Sequence, residues 1–227
     1  QSGSSGGEET QTLHLNPLSG EWGEDYSTLQ RHVSLAVAFN VWEYLWINDD
    51  QDFLEKYGAE LFLEICRFWA GKAEFDEASE RYSIAGVMGP DEFHEKYPGA
   101  KEGGLKNNSY TNLLMAWALQ RAFNLLDRMS PEAREQLRGQ MRLTQAELKN
   151  WGEIAHNLSI PLSKDGILEQ YDGYFELQEL DWESYRQKYD NIHRMDRILK
   201  AEGKSPDAYK VAKQADALMT FYVLSDK

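Results

Sequence analysis

The chain is poor in cysteine: Cys66 stands alone, which excludes an internal disulfide and favours a reducing compartment, here read as cytoplasmic. Positive charge is scarce as well. Lys and Arg number 24 against 38 Asp and Glu, the formal net charge is −14, and no basic stripe interrupts the acidity. That balance excludes nucleic acid and anionic lipid surfaces as partners. Long apolar runs are missing, since stretches such as Leu35–Phe39 are far too short to cross a bilayer. No Gly-x-Ser-x-Gly elbow and no Walker-type phosphate loop occurs. His94-Glu95 lacks the second histidine one turn later that a zincin needs, and His14, His32, His94, His156 and His193 are scattered, so no metal site is expected. No methionine opens the chain and no secretory apolar segment follows, so the expectation is that the natural N-terminus lies upstream.

What is present is a chain of 227 residues, 41% hydrophobic, long enough for a sizeable core. The first 26 residues read as loop, with Gln1–Gly7 resembling a linker by composition alone. From Ser27, apolar residues recur at helical spacing through Leu45, and Asn48-Asp49-Asp50 both ends that helix and caps a second one carrying Phe53 to Trp69. A short strand is predicted within Tyr82–Val87. A third helix starts at Asn108 or Ser109 and runs to about Met129. Ser130-Pro131-Glu132 and the capping box Thr144-Gln145-Ala146-Glu147 each open another. Residues 159–181 read as irregular with a hairpin around Tyr171-Asp172-Gly173-Tyr174. Ser205-Pro206-Asp207 reads as the start of the last helix, with Lys213 and Gln214 in its second half. The long loops carry Trp22, Tyr82, Phe93, Tyr97, Tyr171, Tyr174, Phe175 and Trp182; disorder disfavours aromatics, so these loops read as ordered walls of a site.

The chemistry concentrates in Gly86-Val87-Met88-Gly89-Pro90-Asp91-Glu92-Phe93-His94-Glu95. A rigid turn presenting one acid among uncharged hydrogen-bonding groups suits sugar chemistry. Breaking a glycosidic bond needs proton delivery to the leaving oxygen, and a carboxylic acid performs it when burial or a neighbouring charge raises its pKa. Glu92 is the candidate, with Asp91 and Glu95 near in sequence to supply that charge. Alone, Asp91-Glu92 equally fits an exposed turn and helix cap. Asn107, Asn108 and Asn112 fit either caps or sugar-hydroxyl ligands, and Lys213-Gln214 fits a solvated helix face. Cys66 reads as core.

Several segments together resemble glycoside hydrolase family 65, the maltose, trehalose, kojibiose and nigerose phosphorylases and their hydrolase relatives. They are Gln1-Ser2-Gly3 with Gly6–Gln11, His14-Leu15-Asn16-Pro17 with Gln30-Arg31-His32-Val33, Gly89–Glu95, Asn107-Asn108-Ser109-Tyr110-Thr111-Asn112, Tyr171–Phe175 and Lys213-Gln214-Ala215-Asp216. The resemblance implies that Gln1–Gly7 is a family segment and not a tag. It also implies an all-α fold, an (α/α)6 toroid of which residues 1–227 form an incomplete central part, with a β-sandwich and barrel helices before it and a phosphate-holding Ser/His loop after it. By the same resemblance Glu92 is the general acid of an inverting cleavage of an α-glucosidic disaccharide. Lys213 and Gln214 line the sugar and phosphate side, and His94, Asn107, Asn108 and Asn112 bind substrate. No cofactor is implied; inorganic phosphate is co-substrate, the partners are a small disaccharide and phosphate, and a homodimer stays open. A hydrolase of the same family and a non-catalytic helical carbohydrate-binding fragment are the other readings. Departures at Gly7, Phe93 and Lys106, where relatives often carry arginine, tyrosine and an acid, bear on the identity of the disaccharide.

Overall fold

A computed structural model of the chain describes residues 12–224. The family-like segments within 1–11, Gly7 included, lie outside the described residues. Helices dominate and sheet is confined to two small antiparallel hairpins: β1 (Leu13–Leu15) with β2 (Trp22–Glu24), and β3 (Glu74–Asp76) with β4 (Arg81–Ser83). The helices are α1 (Val33–Asn48), α2 (Gln51–Phe53), α3 (Ala59–Lys72), α4 (Ser109–Arg128), α5 (Pro131–Met141), α6 (Gln145–Asn157), α7 (Trp182–Lys188), α8 (Met195–Ala201) and α9 (Asp216–Leu224). No helix among the described residues is long and apolar enough to cross a membrane.

Local chemistry explains most of the helix ends. Asp49 closes α1 in the left-handed conformation, and the Asp50 carboxylate accepts the Phe53 backbone N–H at 2.9 Å to cap α2. A π-turn over Leu54–Gly58 carries the chain from α2 into α3. Asn108 caps α4 by accepting from Thr111 N at 3.0 Å, Ser130 caps α5 with Pro131 behind it, and Thr144 caps α6. The predicted capping box is half formed: Thr144 Oγ1 accepts from Glu147 N, but the Glu147 carboxylate turns to Arg67 of α3 at 2.7 Å. This ion pair is partly exposed and contributes under about 1 kcal/mol, whereas truncating a core tryptophan costs about 3–5 kcal/mol. Packing therefore decides the architecture.

α4 is the central helix and packs against α1, α3, α6 and α9. Leu114, Met115, Ala118, Leu119, Ala122 and Leu125 of α4 meet Leu35, Phe62, Cys66, Trp69, Trp151 and Ile154, all buried. Cys66 lies in this core as expected, with burial pushing its thiol far up. A second, smaller core of Phe93, Leu180, Tyr185, Met195, Ile198, Leu199 and Val211 ties α7 and α8 to the segment around residue 93.

Several expectations change. The first helix begins at Val33, because Ser27 N is held by the Asp25 carboxylate and Ser27–Leu29 forms only a 3-10 turn. The strand predicted within Tyr82–Val87 runs over Arg81–Ser83. No hairpin forms at Tyr171–Tyr174: Gly173 is left-handed, a 3-10 turn follows at Tyr174–Glu176, and the Tyr171 ring is buried. Trp182 lies at the start of α7, not in a loop. Ser205-Pro206 opens a 3-10 turn of Pro206–Ala208 and the last helix waits until Asp216. The intervening backbone donors are claimed elsewhere, Lys210 N by Gln178 O at 2.8 Å and Lys213 N by the Asp91 carboxylate at 2.8 Å, so Lys213 and Gln214 precede α9.

The strap that delivers residues 89–95 is pinned where Val87 and Leu105 exchange backbone hydrogen bonds. Gly104 beside it has φ +106°, and a Cβ there would stand 2.7 Å from Gly86 Cα. Gly104→Ala is expected to destabilise by about 1–3 kcal/mol. Gly139→Ala, in open space on α5, is expected to stabilise by about 0.4–1 kcal/mol. Urea unfolding of both variants checks the pair, and equal stability of Gly104→Ala and the parent contradicts the close-approach argument.

Candidate active site

The turn at 89–95 is built around one buried carboxylate. Asp91 is 1% exposed and its oxygens are fully engaged. Oδ1 accepts from Lys213 N at 2.8 Å and, more loosely, from Phe93 N and Gln214 N at 3.4 Å. Oδ2 accepts from Gln170 Nε2 at 2.9 Å and faces His94 Nδ1 at 2.9 Å. The Asp91 backbone N–H donates to Asp216 Oδ1 at 2.7 Å, and Asp216 Oδ2 accepts from Asn108 Nδ2 at 2.8 Å. Gly89 lies directly over this second carboxylate, since a Cβ on it would stand 2.0 Å from Asp216 Oδ2. Only glycine fits there.

With Asp91, Phe93 and His94 turned inward, Glu92 is turned out. Its side chain is 48% exposed, and Oε2 lies 2.6 Å from Lys213 Nζ. Glu92 borders a cavity of about 350 Å³ whose walls include His14, Gln30, Glu95, Arg194, Asp196, Arg197 and Lys200. A cavity of about 250 Å³ shares His14, Asn16, Glu95 and Lys200 with it and adds Trp22 and Tyr26. Gln214 Oε1, next to Lys213, is buried without a hydrogen-bond partner among the described residues.

His94, Asn107, Asn108 and Asn112, expected to bind substrate, are buried behind the turn and do not border the cavity at Glu92. Each is at most 3% exposed, and their polar side-chain atoms meet protein partners except Asn112 Oδ1, which has none among the described residues. His94 Nε2 faces Tyr209 O at 3.0 Å, completing a bridge from Asp91. Asn107 Oδ1 accepts from Ile84 N at 3.1 Å and Asn112 Nδ2 at 3.1 Å, while Asn107 Nδ2 donates to Asp172 at 2.8 Å. Asn112 Nδ2 also donates to Ser159 O at 2.8 Å. These residues brace the loops because the α4 N-terminus is buried and its donors and acceptors need partners there. The aromatics divide likewise. Tyr171 and Tyr174 set their edges against His94, and Tyr97 against Tyr171, as a cushion beneath the turn, whereas Trp22 lines a wall.

Two carboxyls near the turn are displaced from their ordinary range. Burial pushes Glu95 up to about 7, with Asp207 and Asp25 adding to the effect and Lys200 opposing it. Burial also pushes Asp216 up to about 7, reinforced by the Asp91 charge and opposed by the Asn108 hydrogen bond. Arg194, Arg197 and Lys200 were not singled out from the sequence; their spacing of three residues was the available signal, but no helix was assigned there. Among the described residues no cluster of His, Cys, Asp and Glu is arranged to hold a metal.

The sequence as a whole matches one family. The model of the glycosyl hydrolase family 65 central catalytic domain matches residues 1–227, and the chain belongs to that family. It is 48% identical over 225 residues, 99% of the chain, to an uncharacterized glycosyl hydrolase of Mycobacterium tuberculosis (strain ATCC 25618 / H37Rv), covering 17% of that protein. It is 44% identical over its full 227 residues to trehalose 6-phosphate phosphorylase of Lactococcus lactis subsp. lactis (strain IL1403), covering 28% of it. The chain thus spans less than a third of either relative. A solved structure, provisionally assigned as a kojibiose phosphorylase from the human microbiome, superposes with a TM-score of 0.69 at 22% identity, over 85% of this chain and 25% of that one. That likeness bears on the fold alone.

The raised Asp216 carboxyl gives a signed expectation. Its folded value of about 7 lies above its ordinary 3.8, so its contribution is complete below about pH 4 and is lost as pH rises through about 7. Asparagine does not titrate. The unfolding free energy of Asp216→Asn minus that of the parent should therefore rise between about pH 4 and about pH 7 and then level off. Urea unfolding across that range measures it, and a difference independent of pH rejects the assignment.

Proposed function

We propose that Glu92 is the general acid of an inverting cleavage of an α-glucosidic disaccharide, with inorganic phosphate as nucleophile. The observation that carries this is the outward turn of Glu92: the one side chain between buried Asp91 and buried Phe93 borders a polar cavity, and its backbone is fixed from behind. Glu92 donates its proton to the glycosidic oxygen, the bond from that oxygen to the anomeric carbon breaks, and a phosphate oxygen bonds to the carbon from the opposite face. The proton of the hydrogen phosphate returns to Glu92. The products are a sugar 1-phosphate and the released acceptor, and the enzyme ends as it began.

Lys213 fits the phosphate side. Its ammonium is the cation nearest Glu92, and an arriving phosphate dianion competes for it, freeing the carboxyl for the saccharide. Gln214 is assigned to the sugar side by the family resemblance, and its Oε1 is unpaired among the described residues. His94, Asn107, Asn108 and Asn112 act as positioning residues that hold the turn and the start of α4. The helices are read as inner and outer members of an (α/α)6 toroid. The relatives support the reaction class: proteins named trehalose 6-phosphate, kojibiose and maltose phosphorylase match this chain.

Hydrolysis is the second reading, favoured by one feature. Water needs a carboxylate base roughly 6.5–9.5 Å from the acid. Glu95 lines the same cavity and is raised to about 7, where a base is effective near neutral pH.

Glu92→Gln in the full chain is expected to lower turnover about 10²–10⁴-fold on unactivated disaccharides. Assays with phosphate present should yield sugar 1-phosphate; free sugar alone selects hydrolysis, and undiminished turnover by the variant removes Glu92 from the acid role. Lys213→Ala is expected to raise the KM for phosphate about tenfold with little change in the KM for sugar, read from initial rates. An unaltered phosphate dependence refutes that part.

A further inference from the structure

The cavity beside Glu92 is not furnished for a neutral sugar alone. One wall comes from Arg194, which precedes α8, and from Arg197 and Lys200 on that helix. Their spacing of three residues places consecutive members on one face. Two of the three are already engaged. Arg194 forks onto Asp196 at 2.9 and 2.6 Å. Lys200 Nζ stands 3.6 Å from Glu95 and 3.5 Å from His14 Nε2. Arg197 differs: it is half-buried, lines the cavity, and its guanidinium makes no hydrogen bond or ion pair among the described residues. A planar fork of donors held at a cavity wall without a partner is a site for a bidentate anion. Glu95, raised to about 7 by burial, is partly neutral near pH 7 and so leaves Lys200 incompletely compensated.

We propose that Arg197, flanked by Lys200 and Arg194, binds the phosphate monoester of a phosphorylated sugar, so that the saccharide taken by this cavity carries its own phosphate. The shared chemistry is a phosphate dianion, which could also be the free co-substrate. Lys213 already supplies a cation beside Glu92 for that purpose, and Arg197 sits on a different element. The inference rests on the reading that a saccharide occupies the cavity at Glu92.

The test is calorimetric titration of the full chain with glucose 6-phosphate, glucose and inorganic phosphate, in the absence of any disaccharide. The expected result is that glucose 6-phosphate binds at least about tenfold more tightly than glucose, and that Arg197→Ala removes this advantage. Arg197→Lys should restore part of it, and inorganic phosphate affinity should change less than about twofold. Because Arg197 makes no side-chain bond among the described residues, Arg197→Ala should melt with the parent; should it unfold, Arg197→Gln carries the same comparison. No preference for glucose 6-phosphate overturns the proposal. So does an Arg197 variant that leaves the preference intact, or one that weakens inorganic phosphate equally. Glu92→Gln titrated alongside separates the two readings: binding needs no proton transfer, so this variant should keep its affinity for glucose 6-phosphate. If it also keeps full turnover, the acid assignment falls while the anion site stands.

Discussion

The fold at the site depends on the buried charge of Asp91. A carboxylate removed from water costs several kcal/mol unless its lone pairs are filled. Here they are filled by backbone N–H groups at Lys213 and Gln214, by the Gln170 amide and by the His94 ring. Charge-assisted hydrogen bonds are about twice as strong as neutral ones, so the arrangement is favourable only when all the segments arrive together. That requirement couples parts of the chain more than 100 residues apart: the 89–95 turn and the stretch before α9 are 122 positions distant at Asp91 and Lys213. It also explains why the segment from 209 to 215 stays out of a helix although Ser205-Pro206-Asp207 is a good helix start. A donor engaged by Asp91 is not available to a helix.

Asp216 extends this constraint. It accepts from the Asp91 backbone and from Asn108, and it begins α9 while Asn108 caps α4. Two helix starts thus converge on one buried polar centre, and Gly89 passes over it at a distance that no side chain permits. Burial, reinforced by the neighbouring Asp91, raises the Asp216 carboxyl, while the oxygens of Asp91 accept the larger number of hydrogen bonds. Phe93 is anchored in the core of α7 and α8, so the turn is held on its polar and its apolar side.

Legibility in the sequence followed the range of the forces. Asp50, Asn108, Ser130 and Thr144 were readable as caps because a cap needs only its own next turn. The apolar periodicity of α1, α3, α4 and α6 was readable for the same reason, and so was Cys66 as core. The hairpin expected at Tyr171–Tyr174 was not, because Tyr171 is drawn into an aromatic cluster with His94 and Tyr97, contacts no local window contains. The helices α7 and α8 passed unnoticed, and Arg194, Arg197 and Lys200 with them, because seven-residue helices give a periodic signal too short to count. The asparagines illustrate a different limit. Asn107, Asn108 and Asn112 have the donors and acceptors a sugar needs, but those groups equally serve a buried helix start, and composition does not say which partner arrives.

Residues 91 and 92 show how one chemical type is divided between two tasks. Asp91 and Glu92 are adjacent carboxyls on one turn. The shorter is turned inward, where it is buried and saturated with donors. The longer is turned outward, half-exposed at a cavity, with an ammonium as its close partner among the described residues. Lysine is a suitable companion because its point charge on a flexible stem gives way to a competing anion, where the rigid fork of an arginine would hold. The same contrast recurs across the cavity. Arg194 is locked by Asp196, Lys200 is shared between Glu95 and His14, and Arg197 has no side-chain partner among the described residues. In each set the structural groups are those with their hydrogen bonds completed inside the chain, and the groups proposed to meet a ligand are those whose partners are displaceable or not found among the described residues. Satisfaction of polar groups, more than residue type or position in a motif, therefore separates the scaffold of this site from its working surface.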